Sequence, residues 1–286
     1  MSVLQAQGLV KQFGDVRALD GVDINVERGR IVGLIGPNGS GKTTALQAIL
    51  GLQQIDSGDI SVMGYNPWAE RAAMMTQVAY IADTGILPKW MKVRDLLSYV
   101  EGVHPNFDRK LAEDRLSRTQ VRLDKKVNVL SKGMNVQLHL AIILAIGAEF
   151  LVLDEPTLGL DILYRQQFYD GVLNDYFTQE RSILVTTHEV REIEHILTDV
   201  VLIHQGRVRL ATSMEEIASR FAKVVCTSDQ PLPGTPLFSR QGINGHEHIF
   251  SGHDPKQLEL LGDVSVPNLA ELFMALVGGD QQEVLA

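Results

Sequence analysis

Eight consecutive residues, Gly36-Pro37-Asn38-Gly39-Ser40-Gly41-Lys42-Thr43, have the spacing GxxxxGK[ST], and that spacing suits the binding of a nucleotide's phosphates. Glycines let the backbone turn so that successive N–H groups face inward as an anion nest. A helix beginning near Lys42 adds the positive end of its dipole. Lys42 would reach the β- and γ-phosphates, the Thr43 hydroxyl would ligate Mg²⁺, and Thr44 beside it completes the set of expected ATP-binding residues. A second pair of groups lies far along the chain. Asp154 and Glu155 directly follow the apolar run Phe150-Leu151-Val152-Leu153. Two carboxylates at the C-terminal edge of a buried strand face the crevice where a nucleotide sits. Asp154 suits Mg²⁺ held through water, and Glu155 suits polarising the attacking water. The alternatives are a chance glycine turn and a solvated acidic turn, and the flanking apolar strands argue against both.

These groups need a scaffold, and its parts are legible. Arg30 to Ile35 reads as a short buried strand, so a strand, a glycine loop and a helix follow one another. Val3 to about Val26 reads as strand, turn at Gly14-Asp15 and strand, with the alternation of an antiparallel edge. From about 84 to 148 the spacing is helical, with few strand signals, which makes this an inserted helical lobe. Leu138 to Ala148, interrupted by His139, is its buried helix. Ser182 to Thr187 is a further buried strand ending in His188, and Val200 to His204 runs into a tight turn at Gln205-Gly206-Arg207. The expected fold is therefore α/β: a P-loop NTPase core with an antiparallel β subdomain, an inserted helical lobe and a small C-terminal α+β appendage. We expect the first unit over 1–211 and the appendage over 212–286. The appendage reads as a helix (MEEIASRF), a strand (KVVCTSD), the turn-rich PLPGTP, a strand around His248-Ile249-Phe250 and a closing helix (NLAELFMALVG), with no catalytic motif.

Composition narrows the function. The chain has 286 residues, 45% hydrophobic and 21% charged, which suits a folded protein and not a disordered one. Its net charge of -9 repels phosphate backbones, so nucleic acid is not expected as a partner. The single cysteine, Cys226, cannot form an internal disulfide, which fits a reducing compartment such as the cytoplasm. The N-terminus lacks an apolar signal region. No apolar run approaches the roughly 18–20 residues of a membrane span, so membrane association is expected only through a partner.

Taken together, the order GPNGSGKTT, LSKGM, LVLDEPTLGLD, VTTH resembles the ATPase subunit of ATP-binding-cassette (ABC) transporters over about residues 1–211. The LSKGM spelling and PNLAELFMAL make it most similar to the single-cassette subunits of ABC-2-type exporters. This resemblance implies an ATPase that binds ATP and Mg²⁺ and dimerises with itself or a paralogue around two nucleotides. It further implies an integral membrane permease on a separate chain, and a place at the inner face of the cell membrane. By position, Ser131, Lys132, Gly133 and Met134 correspond to the signature loop that caps the γ-phosphate held by the opposite subunit. His188 matches the switch histidine, Asp161 the carboxylate of the loop that crosses the dimer interface, and Phe13 the aromatic that stacks on adenine. Stacking needs only a ring face. Ser131 is also a good N-cap before a long helix, so an ordinary cap and an anion site both fit it; for Phe13 the alternative is a core aromatic.

Two departures stand out. Lys132 occupies a position where many relatives have glycine, and Asp83 stands where the family has a glutamine that touches Mg²⁺. A carboxylate can still face Mg²⁺, with shorter reach and an added negative charge. Gln77 would sit at the opposite end of that strand. The segment Gly85 to Met91 is a candidate docking groove for the membrane subunit, although Leu87, Trp90 and Met91 would equally suit the lobe's own core. The rival reading is a soluble ABC ATPase acting on ribosomes or DNA.

Overall fold

The hairpin expected at the N-terminus forms from β1 (Ser2–Phe13) and β2 (Val16–Glu27), paired antiparallel from Ser2↔Glu27 to Phe13↔Val16. The apolar positions Leu19, Val22, Ile24 and Val26 of β2 are buried while residues between them face solvent, as a sheet with one covered face requires. Next come β3 (Ile31–Ile35), α1 (Lys42–Ile49) and β4 (Ser57–Val62), and β4 completes a three-stranded antiparallel sheet on the far side of β1. The computed structural model describes residues 1–82, 87–177, 180–226, 231–242 and 245–282. Asp83, Gly85 and Ile86 lie outside the described residues.

The short α2 (Arg71–Met74) and β5 (Val78–Ile81) lead into the helical lobe. The lobe contains α3 (Val93–Val103), α4 (Arg109–Ser117) and α5 (Lys132–Ile146). Then follow β6 (Phe150–Asp154), α6 (Ile162–Gly171), β7 (Ser182–Thr187), α7 (Val190–Ile193), β8 (Asp199–His204) and β9 (Arg207–Ser213). The central sheet has the order β5-β6-β7-β3-β8-β9, parallel except for β9, which returns antiparallel beside β8.

Alternation along the central strands sorts two cores. Ile31 and Ile35 of β3 with Leu151 and Leu153 of β6 join a cluster containing Val136 of α5, Phe168 of α6 and Ile193 of α7. The intervening Val32, Leu34, Phe150 and Val152 join a cluster with Leu46 of α1 and the buried face of the three-stranded sheet. Both faces are covered, which is why these strands read as continuous apolar runs. The lobe has its own cluster around Leu96, Leu97, Leu116 and Leu138. Leu87 and Met91 pack against that cluster, whereas Trp90 is 71% exposed.

The C-terminal segment contributes α8 (Met214–Arg220), β10 (Phe221–Cys226), β11 (Phe238–Gly242), β12 (Gly245–Ser251), α9 (Pro255–Leu258), β13 (Asp263–Ser265) and α10 (Leu269–Gln282). Its sheet is antiparallel, in the order β11-β12-β10-β13; β11 and β13 are additions to the sequence reading. Ile217, Phe221, Leu269 and Leu272 belong to the same hydrophobic cluster as Ile31 and Leu153, so the segment is packed onto the central sheet. No helix among the described residues is long and apolar enough to cross a membrane.

Candidate nucleotide-binding and hydrolytic site

The strand order brings the chemistry together. β6, β7 and β3 are consecutive neighbours, with Asp154 paired to Thr186 and Thr187 paired to Ile35. The glycine loop after Ile35, the carboxylates after Leu153 and the histidine after Thr187 therefore share one edge, formed by the C-terminal ends of three adjacent parallel strands. In open α/β sheets this edge is where ligands bind.

The loop's shape depends on its glycines. Gly41, the N-cap of α1, has φ 110, and a Cβ there would lie 2.5 Å from the Ala18 carbonyl oxygen. A Cβ on Gly36 would lie 2.2 Å from the Ile203 carbonyl oxygen and 2.6 Å from Ser40 Oγ. No side chain caps α1, which leaves its first N–H groups without intrahelical partners. Ser40 Oγ is buried and makes no hydrogen bond. An uncapped helix start, an orphaned hydroxyl and a buried lysine fit a phosphate group. Lys42 Nζ donates to the carbonyls of Gly36 at 2.7 Å and Pro37 at 3.2 Å. Burial pulls the Lys42 ammonium below its ordinary value, and the charges of Glu155 and Asp154 oppose that shift.

Glu155 sits 3.8 Å from Lys42 Nζ through Oε1, and its Oε2 is 2.9 Å from His188 Nδ1. A carboxylate can only accept, so the proton of this contact lies on Nδ1, and Nε2 lies 3.9 Å from Glu189 Oε1. Glu155 has φ 47, a left-handed conformation that costs a non-glycine residue of order 1 kcal/mol or more and is typical of functional positions. Its N–H approaches both the carbonyl and the hydroxyl of Thr186 at 3.2 Å. Thr186 Oγ1 also donates to Asp154 Oδ1 at 2.7 Å. Thr186 thus holds the Asp154 carboxylate and the Glu155 backbone, a role that VTTH contained but spacing alone did not reveal. Tyr80 is a second partner of Asp154: burial, then the neighbouring carboxylate, raises its phenol above the ordinary value.

Comparison with known proteins decides the family. The ABC transporter model matches residues 19–158. A daunorubicin resistance ATP-binding protein, DrrA3 of Streptomyces coeruleorubidus, is 30% identical over 98% of this chain and 98% of its own length. The chain belongs to the ABC transporter family. It is also similar to a Nod factor export ATP-binding protein I of Burkholderia lata, 31% identical over 96% of each chain. A solved ATP-binding subunit of an ABC transporter matches 76% of this chain and 92% of its own with a TM-score of 0.66 and 27% identity. The protein is thus the ATP-binding, ATP-hydrolysing subunit of an ABC transporter.

The remaining motif residues of this ABC ATPase make contacts of their own. Ser131 is the N-cap of α5, its Oγ accepting from Met134 N at 3.2 Å. A Cβ on Gly133 would strike the Tyr164 ring at 2.1 Å, and Lys132 Nζ donates to the Gly159 carbonyl at 2.6 Å. The signature motif therefore contacts the 159–164 segment of its own chain. Asp161 caps α6, accepting from Tyr164 N at 3.1 Å. Phe13 is 47% exposed at the end of β1, with Lys11 Nζ 5.3 Å from its ring centroid, so it is not a core aromatic. Gln77 lies just before β5, bonded to the Tyr65 hydroxyl.

Proposed function

We propose that two copies of this chain, or this chain and a paralogue, close around two molecules of Mg²⁺-ATP and that hydrolysis reopens the pair. The convergence of Lys42, Asp154, Glu155 and His188 at one sheet edge, with Lys132 and Gly133 of the signature motif in contact instead with Gly159 and Tyr164, carries the reading. One chain offers two halves of a site that it does not join. The surface around Asp161 supports an interface: Leu158 is 48%, Ile162 82% and Leu163 63% exposed, a grouping of apolar side chains that favours a partner.

In this reading the Gly36–Thr43 loop holds the phosphates, with Lys42 on the β- and γ-groups. Phe13 stacks on adenine, and Glu155 accepts a proton from water oriented by His188. Ser131, Lys132, Gly133 and Met134 cap the partner's nucleotide, and Asp161 lies at the crossing loop. The Thr43 hydroxyl and the Asp154 carboxylate are hard oxygen donors of the kind Mg²⁺ takes, with Asp83 a further candidate. When bound, Mg²⁺ neutralises charge on the β- and γ-phosphates. ATP favours the closed pair over the open one by its differential affinity. A membrane permease on a separate chain would turn that closure into transport, holding this subunit at the cytoplasmic face of the membrane. Residues 1–211 would form the ATPase unit and 212–286 an accessory unit docked on it. Export is the direction favoured here. The export and drug-resistance relatives align over nearly their whole length, C-terminal segment included. The sulfate/thiosulfate import relative from Rhodopseudomonas palustris aligns over 76% of this chain and 65% of its own.

Affinity purification of the tagged chain from detergent-solubilised membranes tests the assignment. Recovery with a multi-span membrane protein, with ATPase activity in the complex, is expected. Recovery with ribosomal particles or DNA, and no membrane protein, would move the chain to the soluble ABC ATPases.

A further inference from the structure

The loop from Leu158 to Asp161 is held by two cations. Lys132, in the first turn of α5, donates Nζ to the Gly159 carbonyl at 2.6 Å. Arg165, four residues beyond Asp161, donates Nε to the Leu160 carbonyl at 2.8 Å and pairs through Nη1 with Glu192 Oε1. Glu192 lies in α7, four residues after His188. Both members of the Arg165–Glu192 pair are less than a quarter exposed, and the second oxygen of Glu192 is buried without a hydrogen-bond partner. This is not the solvated surface pair that contributes little. A guanidinium that serves a carbonyl and a carboxylate at once is set in orientation by its planar fork.

The connections form a continuous path. The signature loop reaches the 158–161 loop through Lys132, that loop reaches α7 through Arg165 and Glu192, and α7 begins just after Glu189, the residue next to His188, which bonds Glu155. The same loop is tied back to the chain just after β6 by main-chain bonds, Leu158 N to the Glu155 carbonyl and Leu160 N to the Thr157 carbonyl, both 3.1 Å.

We propose that Lys132 and Arg165 are positioning residues that make the chain's own His188 and Glu155 responsive to what its signature loop touches. This rests on the two-copy reading above, in which the signature loop contacts the partner's nucleotide. Lys132 belongs to that loop by its backbone, while its side chain is spent within its own chain as a tether on Gly159, at the position where many relatives have glycine. Capture of the partner's γ-phosphate displaces Ser131 to Met134, the tether moves Gly159 and Leu160, and Arg165 passes the shift to Glu192 and the histidine. The two sites of a dimer are thereby coupled in both directions, as linkage requires for their binding free energies.

Steady-state ATPase rates of the full chain, against ATP concentration, test this with Lys132→Met, Arg165→Ala, Arg165→Lys, Glu192→Gln and Arg165→Ala/Glu192→Gln. Lys132→Met and Arg165→Ala are expected to lower kcat about tenfold, which corresponds to about 1.4 kcal/mol on the barrier. KM for ATP should stay within twofold, and the Hill coefficient for ATP should fall toward 1. Arg165→Lys keeps the charge without the fork and should recover only part of the loss. The double variant should be no slower than the slower single, because both remove one link. Wild-type-like kcat and Hill coefficient in Lys132→Met and Arg165→Ala would overturn the proposal. So would losses in kcat, ATP affinity and thermal midpoint that move together, since these mark a merely structural pair. If Arg165→Ala does not fold, Arg165→Lys and Glu192→Gln decide by the same criteria. A wild-type chain that neither hydrolyses ATP nor pairs with it would remove the two-copy reading itself, an outcome distinct from silent variants in an active, cooperative wild type.

Discussion

Replacing Glu155 by glutamine separates binding from chemistry at one atom. The amide keeps the size of the side chain and one acceptor oxygen, so the contact now made at 2.9 Å with His188 Nδ1 can persist. What disappears is the charge and the ability to take a proton. General-base catalysis contributes roughly 10²–10⁴-fold, so kcat should fall by that factor, about 3–5 kcal/mol on the barrier. Affinity should move the other way or not at all. The Glu155 carboxylate stands 3.8 Å from Lys42 Nζ and competes with phosphate for that ammonium. At an effective dielectric near 20 two charges at this distance attract by about 4 kcal/mol, an upper limit because both groups also lose hydration. Releasing even a third of it would tighten ATP binding roughly tenfold. Phosphate release measures kcat, equilibrium dialysis measures ATP affinity, and size-exclusion chromatography with Mg-ATP reports the closed dimer, which should accumulate because it forms but cannot reopen. Adding Ser131→Ala should weaken that dimer by removing the cap in trans. A Glu155→Gln protein that hydrolyses ATP at the wild-type rate and stays monomeric with ATP would refute both the base assignment and the sandwich.

Three further outcomes are expected. Lys42→Ala should abolish ATP binding, because the Gly36–Thr43 loop contains no other lysine or arginine to neutralise the phosphates; tight binding by the folded variant would remove the phosphate-loop assignment. Phe13→Ala should weaken ATP binding by about 1–3 kcal/mol, the usual worth of base–aromatic stacking, and leave turnover at saturating ATP unchanged. A fall in turnover with unchanged affinity would place Phe13 elsewhere. Asp83→Gln should change the Mg²⁺ concentration for half-maximal activity, and an identical Mg²⁺ titration would mark Asp83 as a bystander.

What the sequence displayed and what it hid divide along the range of the interactions. β3, β6 and β7 announce themselves through unbroken apolar runs, and the glycine loop, Asp154-Glu155 and His188 sit at their ends, so the site's members were legible from local pattern. Their convergence required the strand order, in which β7 inserts between β6 and β3, and no local spacing encodes that. The tethers on the 158–161 loop were invisible for the same reason: Lys132 and Gly159, like Arg165 and Glu192, are 27 residues apart, and an isolated cation on a helix gives no sign of the carbonyl it will meet. β11 and β13 escaped because FSRQG and DVS carry too few apolar residues to set a period; cross-strand bonds to β12 and β10 make them strands. Leu269 and Leu272 did mark a helix, but an apolar stripe specifies burial without specifying against what.

That last helix has a consequence for how the molecule is made. Leu269 and Leu272 are fully buried in the cluster that also contains Ile31, Leu153 and Ile193, and Leu269 N is bonded to Glu194 Oε1 at 2.9 Å. Burying two leucines contributes about 3–6 kcal/mol, a large part of the roughly 5–15 kcal/mol that holds a typical domain together. During synthesis the chain emerges N-terminus first, so the central sheet is translated long before the residues that close its core. Until α10 arrives, one face of the catalytic half is open and sticky, and the enzyme is at its most vulnerable to aggregation and proteolysis. A stop codon near Ser213 would yield every residue of the phosphate site without the two leucines that share its core cluster.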